Sequence, residues 1–140
     1  MNIEDKLKEL AEKVLPEMSY TLGSMTEIDA QLDLQEPPFM WVVFPSTGAL
    51  LYANGRVKER LRTLIGFFDL VRRDANGDDN MAVYRRMCGA ARQYLDAINT
   101  CGYFAEVGEV PLNIYTEIGA ANVTGCIMDV ELSELTGHCV

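Results

Sequence analysis

From Asp79 to about Thr100 the chain places Tyr84, Met87, Cys88, Ala91, Tyr94, Leu95 and Ile98 at spacings of three and four, and apolar stretches with strand character flank this segment on both sides. A helix with one apolar stripe must bury it, and the flanking strands supply the layer. Each large side chain docked on that layer gains about 1.5–3 kcal/mol, on the order of 10 kcal/mol in all before conformational entropy is subtracted. Intrinsic propensity is only a few tenths of a kcal/mol per residue, well below the gain from any one docked side chain. The segment therefore predicts a packed α+β domain rather than an isolated helix.

The remaining elements are read around that unit. Ile3, Leu7, Leu10, Ala11 and Val14 share one face and predict an N-terminal helix over Ile3 to Leu15, with Asn2 as its cap, Glu4 and Asp5 at its positive end and Pro16 as its stop. Met18 to Leu22 reads as a short strand ending at Gly23; residues 18–36 as a whole fit neither period and read as strand or loop. Phe39 to Phe44 is apolar throughout, a strand covered on both faces. Pro45-Ser46-Thr47-Gly48 reads as a turn, Ala49 to Ala53 as a short strand, and Asn54-Gly55 as a tight hairpin turn. The stretch from Arg56 to Arg73 fits a helical stripe as well as a strand. The preceding Asn-Gly turn and the apolar run Leu64 to Val71 favour a long strand, about Lys58 to Val71, with a bulge or bend at Gly66. Asp78 or Asp79 caps the central helix. Leu112 to Ile118 and Val123 to Leu132 alternate apolar and polar residues, the pattern of strands with one wet face, and Gly119 to Asn122 joins them. Residues 136–140 read as a flexible tail.

The expected architecture is one α+β domain over residues 1–140. It has a mixed or antiparallel sheet of about 4–6 strands, packed by the N-terminal helix (1–16) and the central helix (about 79–100). At 140 residues the chain buries roughly two thirds of its unfolded surface, enough for a core without disulfide or metal staples.

Charge narrows the function classes. The net charge is −9, which disfavours general nucleic-acid binding. It is unevenly placed: residues 1–36 carry −6, residues 37–100 carry +3 and residues 101–140 carry −6. Two readings stand, solvated faces or a basic middle that meets the acidic ends of a neighbouring copy. No run reaches the roughly 18 apolar residues of a membrane span, and the charged, amphipathic N-terminus lacks the pattern of a signal peptide. The expected location is the cytoplasm of a host cell, or a virion.

Candidate chemistry is sparse. Cys88, Cys101, Cys126 and Cys139 form no CxxC pair, and His138 is the only histidine, so no zinc set emerges. Cys88 and Cys126 read as small apolar fillers. Asp74-Ala75-Asn76-Gly77-Asp78-Asp79 resembles a calcium loop, but glycine stands fourth rather than sixth and Arg85 occupies the twelfth position; an exposed turn and helix cap fits better. Ser24, Ser46 and Ser133 lack a nucleophile-elbow setting, and Asp29 with Asp33 reads as a solvated face. No glycine-rich phosphate loop is present. No catalytic, cofactor-binding or metal-binding residue is assigned, no cofactor is expected and enzymatic activity is not. Arg72, Arg73, Arg85 and Arg86 are the candidate subunit-interface residues. Trp41 reads as core.

The order of elements, ending in the alternating VTGCIMDVEL of residues 123–132, resembles the tail-completion or tail-terminator proteins of tailed bacteriophages and prophages. That resemblance lies in pattern over most of the chain and carries over no functional residue. It implies a mixed sheet flanked by helices, no enzymatic activity, and a homo-oligomeric ring at the head-proximal end of the tail tube, touching other tail or connector proteins. The alternative is a small binding or regulatory module that recognises a peptide or small molecule.

Overall fold

A computed structural model describes residues 2–24, 37–43, 45, 47–119 and 122–135, and the backbone of 138–139. Along the chain run α1 (Ile3–Val14), β1 (Ser19–Gly23), β2 (Phe39–Val43), β3 (Thr47–Ala53), β4 (Arg56–Leu70), α2 (Gly77–Thr100), β5 (Leu112–Ile118), β6 (Val123–Ser133) and the two-residue β7 (His138–Cys139). The expected α+β architecture is present: among the described residues, two helices lie on one face of a mixed sheet ordered β1-β2-β4-β6-β5.

The 15-residue β4 is the spine of this sheet. One of its edges pairs antiparallel with β2 through Ile65–Phe68 and then with β3 through Arg56–Arg62. The other pairs antiparallel with β6 over Arg60–Leu70 and with β7 at Arg56 and Val57. β1 joins β2 in parallel, and β5 joins β6 antiparallel. Asn54 and Gly55 both take positive φ, 55° and 75°, as a two-residue hairpin between β3 and β4 requires.

Alternation along the strands sorts side chains between two clusters. Met40, Val42, Ile65, Phe67, Cys126, Met128, Val130 and Leu132 face the helices. Phe39, Trp41, Val43, Phe68, Val123 and Ile127 form a second cluster on the opposite face, which buries the first half of β6 on both sides. Helix α1 packs across α2, where the Tyr94 hydroxyl donates to the Leu7 carbonyl at 2.7 Å. The stripe of α2 is consequently broader than its sequence indicated: Val83, Ala90 and Ala97 are buried too, and Leu95 only partly.

Several sequence expectations change. Pro45 to Gly48 does not reverse the chain, because β2 and β3 lie end to end along the same edge of β4. The register slips by two residues between the Val42–Ile65 and Thr47–Arg62 pairs. Gly66 lies in regular pairing with Trp41 and Ile127, with no bulge. Asn76, not Asp78 or Asp79, caps α2: its Oδ1 accepts the Asp79 N–H at 2.9 Å, while Asp79 Oδ2 accepts the Asn76 N–H at 3.1 Å. The reciprocal box satisfies two backbone donors where a lone aspartate satisfies one. Of the tail expected to be flexible, the backbone of His138–Cys139 pairs with β4. Phe44, residues 25–36 of the uncertain stretch, and residues 136, 137 and 140 lie outside the described residues.

Burial sets an alkaline limit on this core. The Tyr20 hydroxyl is buried with no hydrogen-bond partner among the described residues. Desolvation, with help from Glu4, Asp5 and Glu12, pushes its pKa up from 10.0 to about 12. Burial beside Cys88 pushes the Cys126 thiol from 9.0 to about 12. Both folded values lie above the unfolded ones, so between about pH 9 and 12 the unfolded chain releases protons that the native chain retains. Stability is expected to be intact below about pH 9 and to fall as pH climbs toward 12. Tyr20→Phe should flatten the upper part of that fall. Thermal melts at stepped pH test this; a melting temperature that stays level across the window contradicts it.

Candidate interaction surfaces

The arginines proposed for a subunit contact gather near the start of α2, and Arg72 and Arg86 are neutralised within the chain. Arg72 Nη2 sits 3.0 Å from Asp79 Oδ2. The Asn76 backbone N–H and then Arg72 hold the Asp79 carboxyl below the usual carboxylate range. Arg86 Nη1 lies 2.7 Å from Asp69 Oδ2 and ties α2 to the end of β4. Arg85 stacks over the Tyr84 ring at 5.2 Å. The Asp74–Asp79 turn is therefore a capped helix start held by Arg72, and among the described residues no three His, Cys, Asp or Glu side chains are grouped to hold a metal ion.

The other candidate chemistry does not converge. Cys88 and Cys126 are buried free thiols and Cys101 is half-buried. Asp29, Asp33, Ser46 and the side chain of His138 lie outside the described residues. Trp41 is buried in the second cluster against Phe68, ring centres 6.1 Å apart, and among the described residues its Nε1 has no partner. No described helix is long and apolar enough to cross a membrane.

What stands out instead is apolar surface on two strands with an open edge, β3 and β5. In β3, Leu50 is 75% and Tyr52 70% exposed, and Leu51 is exposed on the other face. Leu50 and Tyr52 pair with Glu59 and Val57 of β4, on the same face as Leu61 and the helices. In β5, Ile114 is 56% exposed, with Leu112 and Tyr115 also exposed. This corrects the expectation that β5 buries one face. As the outermost strand it extends beyond the cover of α2, so its apolar side chains meet solvent. Among the described residues the outer edges of β3 and β5 have no strand partner.

Beside β5 a groove of about 260 Å³ runs between α2 and the sheet, lined in part by Tyr84, Cys88, Leu95, Val110 and Leu112, with Arg85 and Arg92 along it. Natural edge strands are usually blunted by lysine, proline or bulges. β3 (TGALLYA) has no charge and no proline, and β5 (LNIYTEI) has only Glu117, next to an irregularity between Tyr115 and Ile118. For β3 that lack of protection was the readable signal; β5 is protected only at its Glu117 end.

The chain matches no protein-family model and no curated protein.

Proposed function

We propose that this chain is a structural assembly protein, a ring-forming tail-completion or head–tail joining component of a phage-like particle. It is made in the host cytoplasm and acts through contacts with its own copies and with neighbouring tail or connector proteins. The observation that carries the reading is the pair of uncovered apolar edges, β3 and β5, which are two different surfaces of one sheet. Two unlike surfaces favour head-to-tail association, which closes into a ring when the rotation between copies permits. The order of elements supports the same reading, and no step of it requires catalysis.

Light scattering across protein concentration and salt tests this. The expected result is a stable species at a multiple of the 15.6 kDa chain mass, loosening as salt screens its charged contacts. A chain that stays monomeric at every concentration contradicts it. The groove between α2 and β5 favours a second reading, a module that binds a peptide or small molecule. A monomer that takes up such a ligand would support that one.

A further inference from the structure

We infer that the β3–β4 hairpin of one copy is the arm, and the β5 edge with its α2 groove the receptor, of a self-complementary contact between copies. Strand β3 adds to β5 of the next copy. The inference rests on the assembly reading above and names the partner of each edge.

Four properties of the chain match. The first is strand sense. β3 runs antiparallel to β4, β4 to β6 and β6 to β5, so β3 and β5 point in opposite directions within one sheet. Placing copies side by side with their helices on the same side therefore brings β3 against β5 as an antiparallel pair, the commoner pairing. Second is the apolar face. Leu50 and Tyr52 lie on the helix side of the arm, and Leu112 and Ile114, paired with Met128 and Cys126, lie on the helix side of the receptor. In the joined sheet these side chains become neighbours, and the groove lined by Tyr84, Cys88 and Leu95 stands directly beside them.

Third is charge. Residues 47–62 hold Arg56, Lys58, Arg60 and Arg62 against Glu59; Arg60 and Arg62 are paired with Glu131 and Asp129 of β6, and the remaining charges are those of Arg56, Lys58 and Glu59. Residues 101–118 hold Glu106, Glu109 and Glu117 with no Lys or Arg, a net −3, beside Arg85 and Arg92 of the groove. Opposite fields of this kind steer association and fix orientation. Fourth is placement. β3 lies beside Arg56–Arg62 of β4, whereas β5 lies beside the part of β6 that pairs with Ile65–Leu70. Arm and receptor thus occupy diagonally opposite corners of the sheet, so one copy cannot satisfy both edges itself and each copy can serve two neighbours.

Mixing two disabled variants gives the test. Leu50→Asp with Tyr52→Asp disables the arm, and Leu112→Asp with Ile114→Asp disables the receptor. All four side chains are exposed, so melts and circular dichroism should match the unaltered chain. The milder Leu50→Ser and Ile114→Ser should weaken assembly in the same direction. Each charged variant alone is expected at the single-chain mass of 15.6 kDa. An equimolar mixture is expected to stop at two copies, because only one intact arm and one intact receptor remain to meet. Assembly undiminished in either variant, or a mixture that stays monomeric, overturns this pairing while an oligomeric unaltered chain leaves the assembly reading standing. A monomeric unaltered chain overturns both.

Discussion

Gly125→Ala is expected to lower the melting temperature by roughly 10 °C, a loss of about 3 kcal/mol at this chain length. Gly125 lies in β6 between Phe68 of β4 and Tyr115 of β5. A methyl group built there runs into the carbonyl oxygen of Phe67 and comes within 2.9 Å of the Phe68 ring carbon Cδ1. The ring could rotate away, but the carbonyl belongs to the central strand and is fixed by pairing on both edges. Relief therefore requires β6 to move off β4, which opens the longest ladder of the sheet. Gly66 supplies the internal comparison: its added methyl would meet chiefly the Phe68 side chain, with Cε2 at 2.8 Å. Gly66→Ala should therefore cost about half as much, in the range of ordinary overpacking. Paired thermal melts check this, and equal losses for the two variants would refute the distinction between backbone and side-chain obstruction.

The second large effect is expected at Glu134, which is 4% exposed. Its Oε1 accepts the Glu59 N–H at 2.7 Å, and its Oε2 lies 3.7 Å from Lys6 Nζ, whose side chain is only 12% exposed. The carboxylate thus joins α1 to the far end of β4. Lys6 also lies 5.6 Å from the centre of the Tyr103 ring, and the Tyr103 hydroxyl donates to Glu9 of α1. Glu134→Ala leaves a half-buried N–H without its carboxylate acceptor and a largely buried ammonium without its counter-charge, an expected loss of about 3 kcal/mol. Glu134→Gln keeps an acceptor for Glu59 and should lose about half of that. Replacing both partners, Lys6→Met with Glu134→Leu, should lose less than Glu134→Ala alone, because no unpaired charge remains buried. Urea titration of the three variants orders them. If the double variant proves the least stable, the ion pair is not the source of the effect.

Much of this fold was legible because periodicity reports which residues share a face. The stripe from Tyr84 to Ile98 located α2, and Asn54-Gly55 fixed the β3–β4 hairpin and with it the strand reading of β4. Periodicity does not report what covers a face. Leu112, Ile114 and Ile118 alternate as a half-buried strand would, yet Leu112 and Ile114 stand in solvent because β5 is outermost. Nor does it reveal long-range partners. Arg72 and Arg86 look available in the sequence, but the fold delivers Asp79 and Asp69 to them. Pro45 to Gly48 has turn chemistry, and only the register along β4 reveals that the strand resumes beyond it.

Because β2, β3, β6 and β7 all attach to β4, the order of synthesis carries a cost. When the hairpin emerges from the ribosome, one side of β4 can pair at once with β2 and β3, but the segment that completes its other side begins at Val123, more than fifty residues after Leu70. A nascent chain must therefore display Ile65, Phe67 and Phe68 beside a bare ladder of amides until Val123–Ser133 has been synthesised. Synthesis paused after α2 would leave an aggregation-prone intermediate, and chaperone dependence of the yield should be concentrated in that interval.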